Sequence, residues 1–165
     1  MQFRHFKYWE DKVTVRTVHP LGLKESQGRW YLMAVDTKDN AFKTFGLDRI
    51  SEIDIQKSTF KTKYTYNLKT LYQNCFGIMG TEEPPETVQL KFNAEQGHYI
   101  KGLPLHHSQK IIKEDSKEVT VELNIAITHD FVMHLLSYGP NMQVIYPKKL
   151  IKILKEKLSK ALEQY

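Results

Sequence analysis

Two rhythms of apolar and polar positions run along the chain. In the first third, short apolar runs are separated by turn-forming residues. The densest is Trp30-Tyr31-Leu32-Met33-Ala34-Val35, which is too short for an ordinary helix and rich in aromatics. It predicts a strand with apolar side chains on both faces. Asp36-Thr37-Lys38-Asp39-Asn40 follows with turn chemistry, and Ala41 to Leu47 returns as a second aromatic strand, so the pair reads as a β-hairpin with a five-residue loop. Asp48-Arg49 sets a salt-bridging pair where that strand ends. Phe3 to Trp9 and Val13 to Val18 predict two earlier strands, split by a turn at Glu10-Asp11-Lys12. Ser51 to Lys57 places Ile53 and Ile55 on one face, against Glu52, Asp54 and Gln56, and predicts a fifth. Five short strands with tight turns suggest a small closed or nearly closed barrel.

After a polar, basic connector over 58–67, the rhythm changes. Leu68 to Phe76 predicts a short helix ended by Gly77, and the Pro84-Pro85 segment up to Glu86 is a linker or exposed loop. Val88, Leu90 and Phe92 then alternate with polar residues as a half-buried strand. Ala94 to Lys101 is a helix candidate that Gly97 weakens. Gln109 to Lys113 and the long alternation from Val119 to Ile127 predict two more strands. Thr128 caps a helix whose inward residues are Phe131, Val132, Leu135 and Leu136, with Gly139-Pro140 as its stop. Met142 to Tyr146 is a last strand. Pro147 opens a tail helix expected to bury Leu150, Ile151, Leu154, Leu158 and Leu162. Strand-helix-strand-strand-helix-strand is the split βαβ, ferredoxin-like order. The expected fold class is therefore mainly β plus α+β. The expected divisions are a barrel at 1–57, a linker with a short helix at 58–86, and a ferredoxin-like domain at 87–165.

Composition narrows the function classes. The 165 residues are 41% apolar and 12% aromatic, enough for packed cores. The net charge of +5 is spread out: residues 1–60 carry 10 basic and 8 acidic side chains, and the rest 14 and 11. Strong duplex binding calls for a denser basic stripe, whereas a pocket for a small anion needs only a few cations. Cys75 is the single cysteine, which excludes an intrachain disulfide and suits a buried small hydrophobe in a reducing compartment. No apolar run has membrane length, and charges interrupt the N-terminal apolar residues, unlike a signal peptide. A cytoplasmic location is the expectation.

Catalytic patterns are missing: there is no GxxxxGK loop, HExxH or CxxC. His129 and His134 stand five apart and diverge on a helix, and His106-His107 is a polar loop pair without a chelating neighbour. Glu82-Glu83 and Glu114-Asp115 fit solvated turns. The chain reads as no enzyme, with no cofactor and no metal. Binding leaves more trace, because cations and aromatics at strand ends can hold phosphates and stack bases. The candidates are Arg16, His19, Tyr31, Lys43, Phe45 and Arg49, with Arg16 and Lys43 read as lying on neighbouring strands. Competing readings stand beside these. Arg49 can pair with Asp48 or another carboxylate, Trp30, Leu32 and Phe45 suit a core, and Tyr31 suits either role. The lysines from Lys148 to Lys160 read as the wet face of the tail helix, with nucleic-acid contact as the alternative.

Arg29-Trp30-Tyr31-Leu32, Lys43-Thr44-Phe45 and Leu47-Asp48-Arg49-Ile50, preceded by His19-Pro20-Leu21-Gly22-Leu23, resemble the signature of the WYL domain. Where the family reads R-T-F-R-L-D-R-I, this chain has Lys43 and Gly46 at the two earlier arginines. Pro104 to Gln109, and Tyr138-Gly139 to Tyr146-Pro147, resemble the C-terminal extension that follows such domains. The resemblance implies an SH3-like, Sm-type barrel with ligand-contacting cations at Arg16, Lys43 and Arg49. It also implies a bacterial transcription regulator in which a winged helix-turn-helix precedes the barrel. The implied partner is a nucleotide or single-stranded nucleic-acid effector, with DNA contacted only through the helix-turn-helix domain. The chain starts within the first strand, so the expectation is the effector half of a longer protein, working as a homodimer away from membranes. The alternative is an interaction or dimerisation module without a small ligand.

Overall fold

The computed structural model describes residues 1–60, 66–81 and 83–165, and divides into units Met1–Leu68 and Lys69–Tyr165. Of the expected connector, positions 61–65 lie outside the described residues, as does Glu82 of the Glu82-Glu83 pair.

The first unit is an antiparallel meander of β1 (Gln2–Lys7), β2 (Lys12–Ser26), β3 (Arg29–Asp36), β4 (Phe42–Gly46) and β5 (Ile50–Asp54), in the order β4-β3-β2-β1-β5. Strand β2 is far longer than the predicted Val13 to Val18. Its first half pairs with β1 and its second with β3, and it runs through Pro20 and Gly22 at a register shift. Those residues look like a strand end in sequence, but a bulge absorbs the donor that proline lacks. The expected barrel is not closed by hydrogen bonds. Among the described residues β4 and β5 are the two edges, joined by a 3-10 turn at Leu47–Arg49. The fifth strand ends at Asp54, and neither Ile53 nor Ile55 is buried; Ile55 is 80% exposed. An edge strand with one neighbour keeps its alternation without a core to cover it.

Register assigns the faces. The pairs Phe3↔Arg16, Val18↔Asp36, Ala34↔Lys43 and Leu32↔Phe45 put all eight side chains on one face. Phe3, Val18, Leu32, Ala34 and Phe45 make the core there. Met33 and Val35 point the other way and are also buried, as the apolar density of the run foretold. Trp30 is not core: it sits exposed at the hairpin end of β3, opposite Glu25.

In the second unit, a short helix α1 (Leu68–Gln73) starts one residue before the division. Then come β6 (Glu86–Asn93), α2 (Ala94–Gly102), β7 (Lys110–Glu114), β8 (Glu118–Ile125), α3 (His129–Leu136), β9 (Met142–Tyr146) and α4 (Lys148–Leu162). The sheet is antiparallel, in the order β7-β8-β6-β9. Val88, Leu90 and Phe92 of β6 meet Leu123, Val121 and Val119 of β8, and Phe131, Leu135 and Leu150 pack on them. Asn93 caps α2 and Thr128 caps α3 through their side-chain oxygens. On α4 only Leu150 and Leu154 are buried. Leu158 and Leu162, expected inward, are 52% and 76% exposed, because no further element among the described residues covers that end of the helix.

Gly97 weakens α2 in sequence yet is buried in it. A Cβ there would meet Val119 Cγ2 at 2.5 Å, so glycine lets the helix close onto β8. Gly97→Ala should destabilise the second unit by about 1–3 kcal/mol through overpacking, despite roughly 1 kcal/mol of gained helix propensity. Urea denaturation should show a lower midpoint, and a higher one would mean that the helix shifts freely.

Candidate anion-binding site

The six candidate residues do not share one surface. Arg16, Lys43 and Phe45 lie on the core face of the first sheet. His19 and Tyr31 share the opposite face with Met33 and Val35, since His19 pairs with Val35 and Tyr31 is two residues before Met33. There the His19 ring stacks on Phe60, with centroids 4.3 Å apart. Phe45 is buried core, its ring set edge-on to Phe3 and to His5. Arg49 sits at the end of the 3-10 turn.

Arg16 on β2 and Lys43 on β4 are not on neighbouring strands; β3 runs between them and supplies Asp36. This carboxylate is 1% exposed. Its Oδ2 accepts from Arg16 Nη1 and from Lys43 Nζ, each at 2.9 Å, while Oδ1 accepts from the Lys38 backbone N–H at 3.0 Å. Lys43 also bridges to Asp39. Burial by itself would push the Asp36 carboxyl up, but the Lys43, Lys38 and Arg16 hydrogen bonds together hold it below the ordinary range. Burial works against the Lys43 ammonium too, and the Asp39 and Asp36 hydrogen bonds raise it in spite of that. Two of the three cations expected to grip a ligand are therefore compensated inside the fold. Asp36 reads in sequence as a turn residue. Period two from Leu32 through Ala34 would have put it on the face of Lys43 and Phe45.

Arg49 is different. Among the described residues it makes no ion pair: Asp48, the expected partner, reaches Arg29 instead at 3.7 Å. The Arg49 guanidinium lies over the Tyr8 ring, 5.2 Å from its centroid, in cation–π geometry. It also folds back over Gly46, where a Cβ would meet Arg49 Nε at 3.2 Å and Asp48 Oδ1 at 2.5 Å.

His5, which the sequence reading passed over, lies on the core face two residues from Phe3. It is 8% exposed, and neither ring nitrogen has a hydrogen-bond partner among the described residues. Burial lowers its pKa, and Arg49, Arg16 and Lys7 lower it further, against a smaller opposing effect of Asp48. Three cations thus face one neutral imidazole. A Phe-x-His alternation in the first strand was the available signal.

Residues 1–55 match the family model of the WYL domain, and residues 84–162 match that of the WCX domain. The two matched stretches, called the WYL and WCX domains below, follow each other in that order. Over 50 residues it is 42% identical to Protein PafB of Mycobacterium bovis and of Mycobacterium tuberculosis, a stretch that covers 30% of this chain and 15% of each relative. The solved structure of proteasome accessory factor B/C (PafBC) of Arthrobacter aurescens aligns with 98% of this chain and 25% of its own, at 20% identity and a TM-score of 0.41. The chain thus spans a small part of the length of these proteins. Within the WYL domain, Gly46 gives up a side chain where the family signature has arginine, and Arg49 and Asp48 take the vacated space.

Asp36→Asn should leave Arg16 without its counter-charge beside Lys43, which keeps only Asp39. The expected cost is about 3 kcal/mol, the low end for breaking a buried pair, because Lys43 keeps a path to water. The urea midpoint of the WYL domain checks it. For His5 the folded pKa lies below the free value of 6.5, so the unfolded chain takes up the proton first. Stability present above that value is lost as pH falls through it towards the folded pKa. His5→Leu should shrink the loss of WYL-domain stability between about pH 7.5 and about pH 5.5, read by denaturation at both ends.

Proposed function

We propose that this chain is the effector-sensing part of a bacterial transcription regulator. It takes a nucleotide-like or single-stranded nucleic-acid ligand on the WYL domain and passes the signal to a DNA-binding domain outside these residues, within a homodimer. The observation that carries this reading is Arg49, a guanidinium with an aromatic neighbour and, among the described residues, no carboxylate partner. A cation already in a pair must lose that pair to bind a ligand, whereas among the described residues Arg49 has no ion pair to lose and lies over the Tyr8 ring. Burial and the Arg49 charge both disfavour protonation of His5, so a phosphate would meet the Arg49 charge without a competing carboxylate among the described residues. Arg16 and Lys43 join the site through Asp36, as the frame that holds its floor and as contacts once the ligand competes for them. His19 and Tyr31, on the opposite face, are the candidates for contact with a base or a longer strand. Phe45 serves as packing beneath the site.

The domain architecture supports the regulatory role, since both matched families lie in the order that the resemblance implies. In this reading residues 1–57 are an SH3-like barrel, 58–86 a linker and 87–165 a ferredoxin-like extension. The order β4-β3-β2-β1-β5, with a 3-10 turn before the last strand, supports the first assignment. The antiparallel order β7-β8-β6-β9 supports the second. Signalling works by linkage: the ligand must favour one arrangement of the longer protein over another. No step of it requires catalysis.

Fluorescence anisotropy with a labelled oligo-dT and with a nucleoside monophosphate is the test. Binding in the micromolar range or weaker is expected, and it should fall as salt rises. Arg49→Ala should cost about tenfold in affinity, in line with roughly 1.5–3 kcal/mol for a hydrogen bond to a charged group. Equal affinity in both proteins would remove Arg49 from the site.

A further inference from the structure

The WCX domain has an open apolar groove of about 400 Å³ between α3, β9 and α4. Leu135, Val144 and Leu154 form its floor, and Leu136, Ile151 and Leu158 its walls. Lys155 is the one ionised residue that lines it. Beyond the groove, α4 goes on presenting apolar side chains, for Leu162 and the terminal Tyr165 are exposed. Ile151, Leu158, Leu162 and Tyr165 recur at helical spacing, so the stripe continues the groove along the helix.

Two further features mark this side of the sheet. Strand β9 is an edge, and its sequence Met-Gln-Val-Ile-Tyr carries no charge. The opposite edge, β7, carries Lys110, Lys113 and Glu114. Charge on an edge strand blocks unwanted pairing, so only one edge of this sheet is guarded. The second feature is charge on α4. Lys149 pairs with Glu86, and Lys152 pairs with Glu156 at 3.9 Å. Lys148 and Lys155, which helical spacing places beside the stripe, have no ion pair among the described residues, so two cations border it without compensation.

We propose that this groove docks an acidic amphipathic helix of a partner protein. Leucine-type side chains of that helix fill the space over Leu135 and Val144, and its glutamates or aspartates face the lysines of α4. The complementarity argues for this occupant. A second copy of α4 laid on the groove would bring lysine against lysine, and a basic segment would do the same. Helix-in-groove recognition uses anchors three and four positions apart, the spacing that the exposed stripe of α4 itself offers. The site is remote in sequence from Arg49 and does not rest on the WYL ligand.

The probe is a fluorescein-labelled designed peptide of about 16 residues, with leucines on one helical face and glutamates elsewhere, beside a version with lysine for every glutamate. Anisotropy against the full chain should show binding of the acidic peptide, weakened about tenfold both by Leu158→Glu and by Lys155→Glu, and no binding of the basic peptide. Leu158 and Lys155 are exposed, and circular dichroism of both variants should match the wild type. Equal binding of the two peptides, or binding unchanged by either substitution, would overturn the proposal. So would light scattering that shows a dimer dissolved by Leu158→Glu, because the groove would then be a self-interface. Sedimentation with phosphatidylserine vesicles that Leu158→Glu abolishes, with no peptide binding, would assign the face to a membrane surface instead. Arg49→Ala should leave the peptide titration unchanged, which separates this outcome from that of the oligonucleotide experiment.

Discussion

Asp36 is a carboxylate enclosed by protein, and the chemistry of the WYL domain turns on how its charge is met. It lies on the core face of β3 with Arg16 from β2 and Lys43 from β4. An isolated carboxylate in that position would be expelled or protonated. Two cations and a backbone N–H keep it ionised, and it in turn keeps the two cations from repelling each other. The same contact ties three strands together by their side chains, beside the buried cluster of Phe3, Val18, Leu32, Ala34 and Phe45. Such a polar link adds definition to the sheet, because its geometry tolerates few alternatives.

That link divides the basic residues by role. Arg16 and Lys43 are paired, while Arg49 has no ion pair among the described residues and Asp48 reaches Arg29. The substitution of arginine by glycine at position 46 belongs to the same arrangement. A side chain there would collide with Asp48 and Arg49, the guanidinium that lies over Tyr8.

Much of the architecture was legible. Period-two alternation located β6 and β8 to within a residue or two, and Thr128 marked the start of α3. The hairpin of β3 and β4 followed from its apolar run and polar loop. The misses share a cause. Pro20 and Gly22 imitate a strand end, and only the neighbouring strands show that β2 continues past them. Ile53, Ile55, Leu158 and Leu162 have the spacing of buried residues, yet burial depends on whether another element arrives to cover them. Gly97 counts against a helix by propensity and favours this one by packing.

Local pattern sufficed for the elements, their order and the family signature, because backbone preference and amphipathic spacing are properties of neighbours in the chain. Charge pairing was beyond it. Asp36, Arg16 and Lys43 are separated by up to 27 positions and meet only when three strands take register. Which cation is spent and which is left is a matter of distance between side chains, and distances of a few ångströms exist only once the sheet has formed.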